Sequence, residues 1–205
     1  MNNTIAHALL TAKAISLSPD NPFQFSSGLR SPIYCDNRVL ISHLTERQII
    51  IDALIDKVKH LPINFDLIAG TATAGIPWAA WLSDRLNLPM VYVRGKPKAH
   101  GKTNQIEGYF TKGQKALVIE DLISTGQSAL SCAKALRDQG LDASHCLSIF
   151  TYSFISTQTQ MKQHAIQSES LCNLQDILTT ALGENMINSE QHKHIINWQK
   201  EAATS

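Results

Sequence analysis

Cysteine is scarce and unpatterned in this chain: Cys35, Cys132, Cys146 and Cys172 show no C-x-x-C spacing and sit in apolar or mixed contexts. That argues against a disulfide framework or a cysteine zinc site and leaves reduced thiols, as expected of a cytosolic protein. A surplus of charge is missing as well, since 18 Lys and Arg face 17 Asp and Glu for a formal net charge of +1. Such a balance argues against a surface dedicated to nucleic acid, so any basic site is local. No apolar stretch approaches membrane-spanning length, and no long apolar core follows a basic start at the N-terminus. Internal repeats, low-complexity tracts and Gly/Ser linkers are absent too. With 43% hydrophobic and 17% charged residues, the expectation is one cytoplasmic domain over residues 1–205, with neither a nucleic-acid nor a membrane partner.

What the chain does have is concentrated in Ala116–Ser128, ALVIEDLISTGQS. Ala116, Leu117, Val118 and Ile119 read as a strand buried on both faces, as in the interior of a parallel sheet, and the acids Glu120 and Asp121 read as its end. Adjacent carboxylates repel, so they call for hydroxyls, cations or water as partners. After Leu122 and Ile123, the turn Ser124-Thr125-Gly126-Gln127-Ser128 leads into a helical pattern through Ala129, Leu130, Ala133 and Leu136. A helix N-terminus offers free N–H groups and the positive end of its dipole, and three hydroxyls add donors for a phosphate. A phosphate wants donors while carboxylates suit sugar hydroxyls, so the pattern points to a ribose 5-phosphate. Taken alone, it also fits a plain strand-to-helix turn.

The rest of the chain reads as alternating helices and strands. Ile5 to Leu17 has helical spacing up to Ser18-Pro19, and Asn21 to Arg38 reads as two short strands around a Ser-Ser-Gly turn, with Arg30 just beyond Gly28. Thr45 and Gln48 have capping-box spacing at the start of an amphipathic helix carrying Ile50, Ile51, Leu54, Ile55 and Val58. A buried strand over Phe65–Ala69 runs into Gly70-Thr71-Ala72-Thr73-Ala74-Gly75-Ile76-Pro77, a second small-residue loop before a helix whose Trp78 and Trp81 read as packing residues. With no charged side chain there, only backbone N–H groups could bind a diphosphate. Strand Met90–Val93 leads to a segment in which Arg94, Lys96, Lys98 and Lys102 meet no acid before Glu107, while Gly95, Pro97 and Gly101 disfavour regular structure. Such a loop is a solvated surface, a nucleic-acid patch or a lid for polyphosphate. A strand from Asp142 to Phe150, a polar helix, a short strand Ser170–Cys172, a helix capped by Asn173 and a last helix from Ser189 to about Gln199 complete the chain, with His192 and His194 read as exposed helical residues.

The central stretch resembles the phosphoribosyl-pyrophosphate (PRPP) motif of type I phosphoribosyltransferases. The run F-x-F-x-S-G-x-x-S-P-x-Y-x-D-x-R over residues 23–38 resembles the N-terminal hood of orotate phosphoribosyltransferases, G-x-x-x-x-G-I-P their pyrophosphate loop, and the basic segment their catalytic loop. These motifs follow the family's order from Asn21 to about Ser153. The resemblance implies an α/β fold with a central, mostly parallel sheet flanked by helices and a small hood formed largely by residues 1–40. It implies transfer of a phosphoribosyl group from PRPP to orotate in pyrimidine synthesis, with Mg2+ carried on the PRPP, by a homodimer whose basic loop reaches the neighbour's site.

Carried over by residue, the resemblance implies catalytic roles for Lys98, His100 and Arg94. PRPP contacts are implied for the same three and for Glu120, Asp121, Leu122, Ile123, Ser124, Thr125, Gly126, Gln127 and Ser128. Thr71, Ala72 and Thr73 form the pyrophosphate loop, and Ser124 and Arg30 meet orotate. Three positions depart from the commonest pattern: Arg30 stands for a usual lysine, Gly95 stands where many members have a second loop lysine, and Tyr152 stands where some place an arginine on orotate. Relatives with the same SPIYCDNR and KPKAHGK wording also use tyrosine there. A transferase for a purine base would keep the central motif without the hood, and a nucleic-acid-binding regulator would need a basic face.

Overall fold

The computed structural model describes residues 2–24, 30–95 and 105–202. Helix α1 (Asn2–Thr11) is followed by β1 (Ile15–Leu17), β2 (Phe23–Gln24), β3 (Arg30–Ser31), β4 (Ile33–Cys35) and a 3-10 turn over Asn37–Ser42. Then come α2 (Leu44–Lys59), β5 (Leu67–Thr71), α3 (Gly75–Leu86), β6 (Met90–Val93) and β7 (Ile106–Glu107). The chain continues through β8 (Lys115–Ile123), α4 (Gln127–Asp138), β9 (Asp142–Thr151), α5 (Ile155–Gln163), β10 (Gln167–Asn173), α6 (Leu174–Gly183) and α7 (Ser189–Ala202). Among these residues no helix is long and apolar enough to cross a membrane.

The main sheet has six strands in the order β10-β9-β8-β5-β6-β7, all parallel except β7, which pairs antiparallel with β6. Strand β8 shows why the apolar runs are continuous and not alternating. Leu117 and Ile119 face one core layer with α1, α2, α3 and α6, while Ala116 and Val118 face the other with α4. Both faces are covered, so every position prefers an apolar side chain. The chain leaves β5 through α3 to β6 on one side, and leaves β8 through α4 to β9 on the other. The winding therefore reverses between β5 and β8, where doubly wound sheets open a crevice at the strands' carboxyl ends.

The N-terminal strands form two small antiparallel pairs, β1 with β4 and β2 with β3. Helix α1 ends at Thr11 and does not run to Leu17, because Lys13 takes φ 55° and the next residues join β4. Ile15 is buried in either conformation, which is why helical spacing carried on past the true end. The capping box is also corrected. His43 is the N-cap of α2, without a side-chain cap bond, and Thr45 and Gln48 lie inside the helix. The 3-10 turn delivers the chain directly into α2, with the His43 N–H already donating to the Leu40 carbonyl. Asn173 caps α6 as expected, and the bonds make a full capping box: Asn173 Oδ1 accepts from the Asp176 N–H, and Asp176 Oδ2 from the Asn173 N–H.

The four cysteines are free thiols, three buried and Cys35 half-buried. Trp78 is fully buried with Trp81 edge-on at 5.2 Å, and the Arg47 guanidinium lies 4.9 Å over the Trp81 ring, so both tryptophans pack. Gly75, where α3 starts, lies so close to β8 that a Cβ would press into the Ile119 carbonyl oxygen. Backbone cannot yield as a flexible side chain does. A Gly75→Ala change should therefore cost about 1–3 kcal/mol, roughly 3–10 °C of Tm for a chain of this size, which thermal unfolding would read.

Candidate active site

The acid pair is part of β8, not its end. Glu120, Leu122 and Ile123 pair with Ser148, Phe150 and Thr151 of β9, whereas pairing with β5 stops at Ile119. The sheet is thus closed on one side of Glu120 and open on the other, where β5 turns away at Thr71. Glu120 is buried, with Oε1 accepting weakly from the Asp121 N–H at 3.2 Å and Oε2 without a hydrogen-bond partner. Burial first, then the adjacent Asp121 charge, holds its carboxyl well above the usual carboxylate range, and burial raises Asp121 as well. Asn37, fully buried in the 3-10 turn, donates from Nδ2 to the Asp121 carbonyl at 2.7 Å and leaves its Oδ1 unpartnered. The Thr71 hydroxyl is a third buried polar group without a partner. Unpaired buried polar atoms are costly, and their concentration at one strand end marks a place suited to a polar ligand.

The turn after β8 is held from the far side. The Tyr152 N–H and Thr151 Oγ1 both donate to the Ile123 carbonyl, at 3.1 and 3.2 Å, and Thr157 Oγ1 donates to the Ser124 carbonyl at 2.6 Å. Gly126 caps α4 with φ 78°, a conformation that favours glycine, and a Cβ there would meet Met161 and Thr157. The N–H groups of Gln127 and Ser128 head α4 and have no partner within the helix. Ile123 is buried in the α4-side core, so it can face a ligand only through its main chain.

Across the crevice, β5 turns out through Thr71-Ala72-Thr73, with a cis peptide between Ala72 and Thr73 and the Ala72 N–H donating to the Val93 carbonyl. One cavity of about 240 Å³ is lined by Thr71, Ala72, Val93, Arg94, Gly95, Gln127, Ser128, Ser131 and Cys132. It unites the Thr71–Ala72 turn after β5, the first residues of the basic segment and the N-terminus of α4. Arg94 lies 3.6 Å from Glu107, and its main chain exchanges bonds with Gln105: the Arg94 N–H donates to the Gln105 carbonyl and Gln105 Nε2 to the Arg94 carbonyl. The two ends of the basic segment are thereby tied together, and Ile106-Glu107 forms β7 where a loop to Gly108 was expected.

Lys98 and His100, with Lys96 and Gly28, lie outside the described residues. Thr73, Glu120, Asp121, Leu122, Ile123, Ser124, Thr125, Gly126 and Arg30 do not line that cavity. Arg30 is exposed on β3, and Tyr152 is buried with its ring stacked on Phe154 at 5.3 Å. Asn37 and Thr157 escaped the sequence reading, since both act on main-chain groups remote in sequence.

The reversal of winding beside an acid pair and a hydroxyl-rich turn defines a type I phosphoribosyltransferase fold. A family model described as a phosphoribosyl transferase domain matches residues 40–164. The orotate phosphoribosyltransferase of Coxiella burnetii is 45% identical over 197 residues, 96% of this chain and 94% of that protein. The solved orotate phosphoribosyltransferase of Aeropyrum pernix is 27% identical with a TM-score of 0.76, covering 90% of this chain and 99% of that one. Leishmania donovani UMP synthase gives a TM-score of 0.82 at 26% identity; 98% of this chain is covered, and the chain spans 42% of that longer one. The chain belongs to the orotate phosphoribosyltransferase family.

Proposed function

We propose that the protein transfers the 5-phosphoribosyl group of PRPP to orotate, giving orotidine 5′-monophosphate and pyrophosphate in pyrimidine synthesis. The observation that carries this reading is the cavity in which Thr71, Ala72, Arg94, Gln127 and Ser128 meet; the acid pair does not line it but follows Ile119, which pairs with Gly70 just before Thr71. Family membership supplies orotate as acceptor.

In this reading the N–H groups and hydroxyls of Ser124–Ser128 hold the 5-phosphate. Glu120 and Asp121 accept from the ribose hydroxyls. The main chain of Thr71–Thr73 and the Arg94 guanidinium bind the diphosphate, and Ser124 and Arg30 meet orotate. Departure of pyrophosphate leaves oxocarbenium character at C1, so the reaction needs positive charge on the leaving group and a positioned nucleophile more than a covalent residue. Lys98 and His100 supply that charge, and His100 can pass a proton to a diphosphate oxygen. Mg2+ adds positive charge there when bound. A hard cation of this kind would be carried on the PRPP oxygens, as expected at a diphosphate site. The protein works as a homodimer in which each basic loop serves the neighbour's site.

Product analysis tests the reading. Orotate and PRPP should yield orotidine 5′-monophosphate and pyrophosphate in equal amounts, and chelation of Mg2+ should stop both. Pyrophosphate formed without the nucleotide would contradict it.

A further inference from the structure

Helix α7 buries one side chain fully, Ile195, and one turn later turns two polar donors toward the acceptor side of the site. Trp198 Nε1 donates to the Arg30 carbonyl at 3.1 Å, and Gln199 Nε2 donates to the Tyr152 carbonyl. The Trp198 ring also stands edge-on to both members of the Tyr152–Phe154 stack, at 6.1 and 6.2 Å. These contacts reach one strand with little support of its own, β3, and the residue that follows β9. Strand β3 pairs with β2 over just two residues, Phe23 with Ser31 and Gln24 with Arg30, and a two-stranded pair of that length is marginal without outside packing. Tyr152 follows the last residue of β9, and its N–H holds the Ile123 carbonyl just before the phosphate turn.

We propose that Trp198 and Gln199 are positioning residues for the acceptor base: α7 fixes the main chain at Arg30 and Tyr152 and so sets how tightly orotate is held, without touching PRPP. The inference rests on the reading of Arg30 as an orotate contact. Its physical basis is preorganisation. An arginine on a short strand tied down at its own carbonyl loses less freedom on meeting a planar anion than one on a loose strand. None of the Arg94, pyrophosphate-loop or α4 residues lining the PRPP-side cavity is bonded to either donor.

The experiment is steady-state kinetics on Trp198→Phe, Gln199→Met and Arg30→Ala, with the Trp198→Phe/Arg30→Ala double variant. Phenylalanine keeps an aromatic ring, smaller than the indole, and removes the N–H; methionine keeps length and removes the amide. Loss of one neutral hydrogen bond predicts a rise of about 3- to 10-fold in the orotate KM for either single variant, with the PRPP KM within about twofold of wild type. Arg30→Ala should raise the orotate KM further, and the double variant should be no worse than Arg30→Ala, since the tryptophan acts through that residue. Orotate and PRPP KM rising together, or additive effects in the double variant, would mean that α7 supports the fold generally and would overturn the inference. If Arg30→Ala raises the orotate KM and neither α7 variant does, the inference alone falls. If Arg30→Ala leaves it unchanged, the Arg30 assignment falls and takes the inference with it. Gln199 lies at a half-exposed position, so its variant remains informative if the tryptophan variant does not fold.

Discussion

A Lys98→Ala protein should turn over orotate about 10²–10³ times more slowly than wild type. The reasoning is electrostatic. The diphosphate gains negative charge as its bond to C1 breaks, so a cation placed at its oxygens does more in the transition state than in the ground state. One such donor is worth about 2.7–4 kcal/mol of barrier, which sets the expected factor. The loss should fall on kcat more than on the PRPP KM, because Arg94 and the α4 N-terminus still hold the ground state. Wild-type turnover by this variant would remove Lys98 from the mechanism. The same protein reports on assembly: mixed in equal amounts with a Glu120→Gln/Asp121→Asn protein, it should regain about a quarter of wild-type activity if half the dimers are mixed and each has one intact shared site. Sites confined to one protomer would regain nothing.

Replacing the acid pair should lower activity, while Glu120→Gln alone should raise stability. A lost bond to a ribose hydroxyl costs roughly 1.5–3 kcal/mol where the acceptor is charged and about 0.5–1.5 kcal/mol where it is neutral, so Glu120→Gln/Asp121→Asn should lower kcat/KM for PRPP by about 30-fold or more. Yet the free protein should gain stability at neutral and higher pH from Glu120→Gln alone. The Glu120 carboxyl is held above its ordinary value of 4.5 by burial and by Asp121. Below that ordinary value the folded and unfolded chains both carry the proton, and the group costs nothing. As pH rises above it, the unfolded chain releases the proton while the folded chain keeps it, so stability falls with pH until the folded group ionises too. Glutamine removes this slope. Unfolding midpoints at pH 5 and pH 8 should therefore differ less in Glu120→Gln than in wild type, with the variant the more stable at pH 8. An unchanged slope would mean that Glu120 is ionised in the folded protein. A site residue whose replacement stabilises the empty protein is what a strained polar cluster at a ligand site implies.

Much of this site was legible because its chemistry is local. Acid pair, turn and helix start lie within Glu120–Ser128, the pyrophosphate loop follows directly on β5, and strand β6 was found at Met90–Val93. Both-sided burial explains the clean reading of β8 up to Ile119, and the same continuity explains the error after it. Charged residues looked like a strand end, yet β9 goes on pairing through Ile123. Strand β5 begins at Leu67, two residues after the apolar run starts, since Phe65 is buried but precedes the ladder. What could not be read was support from a distance. Asn37 bonds to Asp121, 84 positions away, and Trp198 to Arg30 across 168. Neither pair leaves a periodic or spacing signal, because each joins a side chain to a main-chain group that any residue type could offer.

Use of PRPP to modify orotate in this crevice is read from the fall in orotate absorbance on adding purified protein, PRPP and Mg2+, with adenine, hypoxanthine and uracil as competitors. Loss of orotate should depend on PRPP, and none of the three competitors should suppress it. Orotate left untouched while one of the other bases is consumed would assign the crevice to a different acceptor.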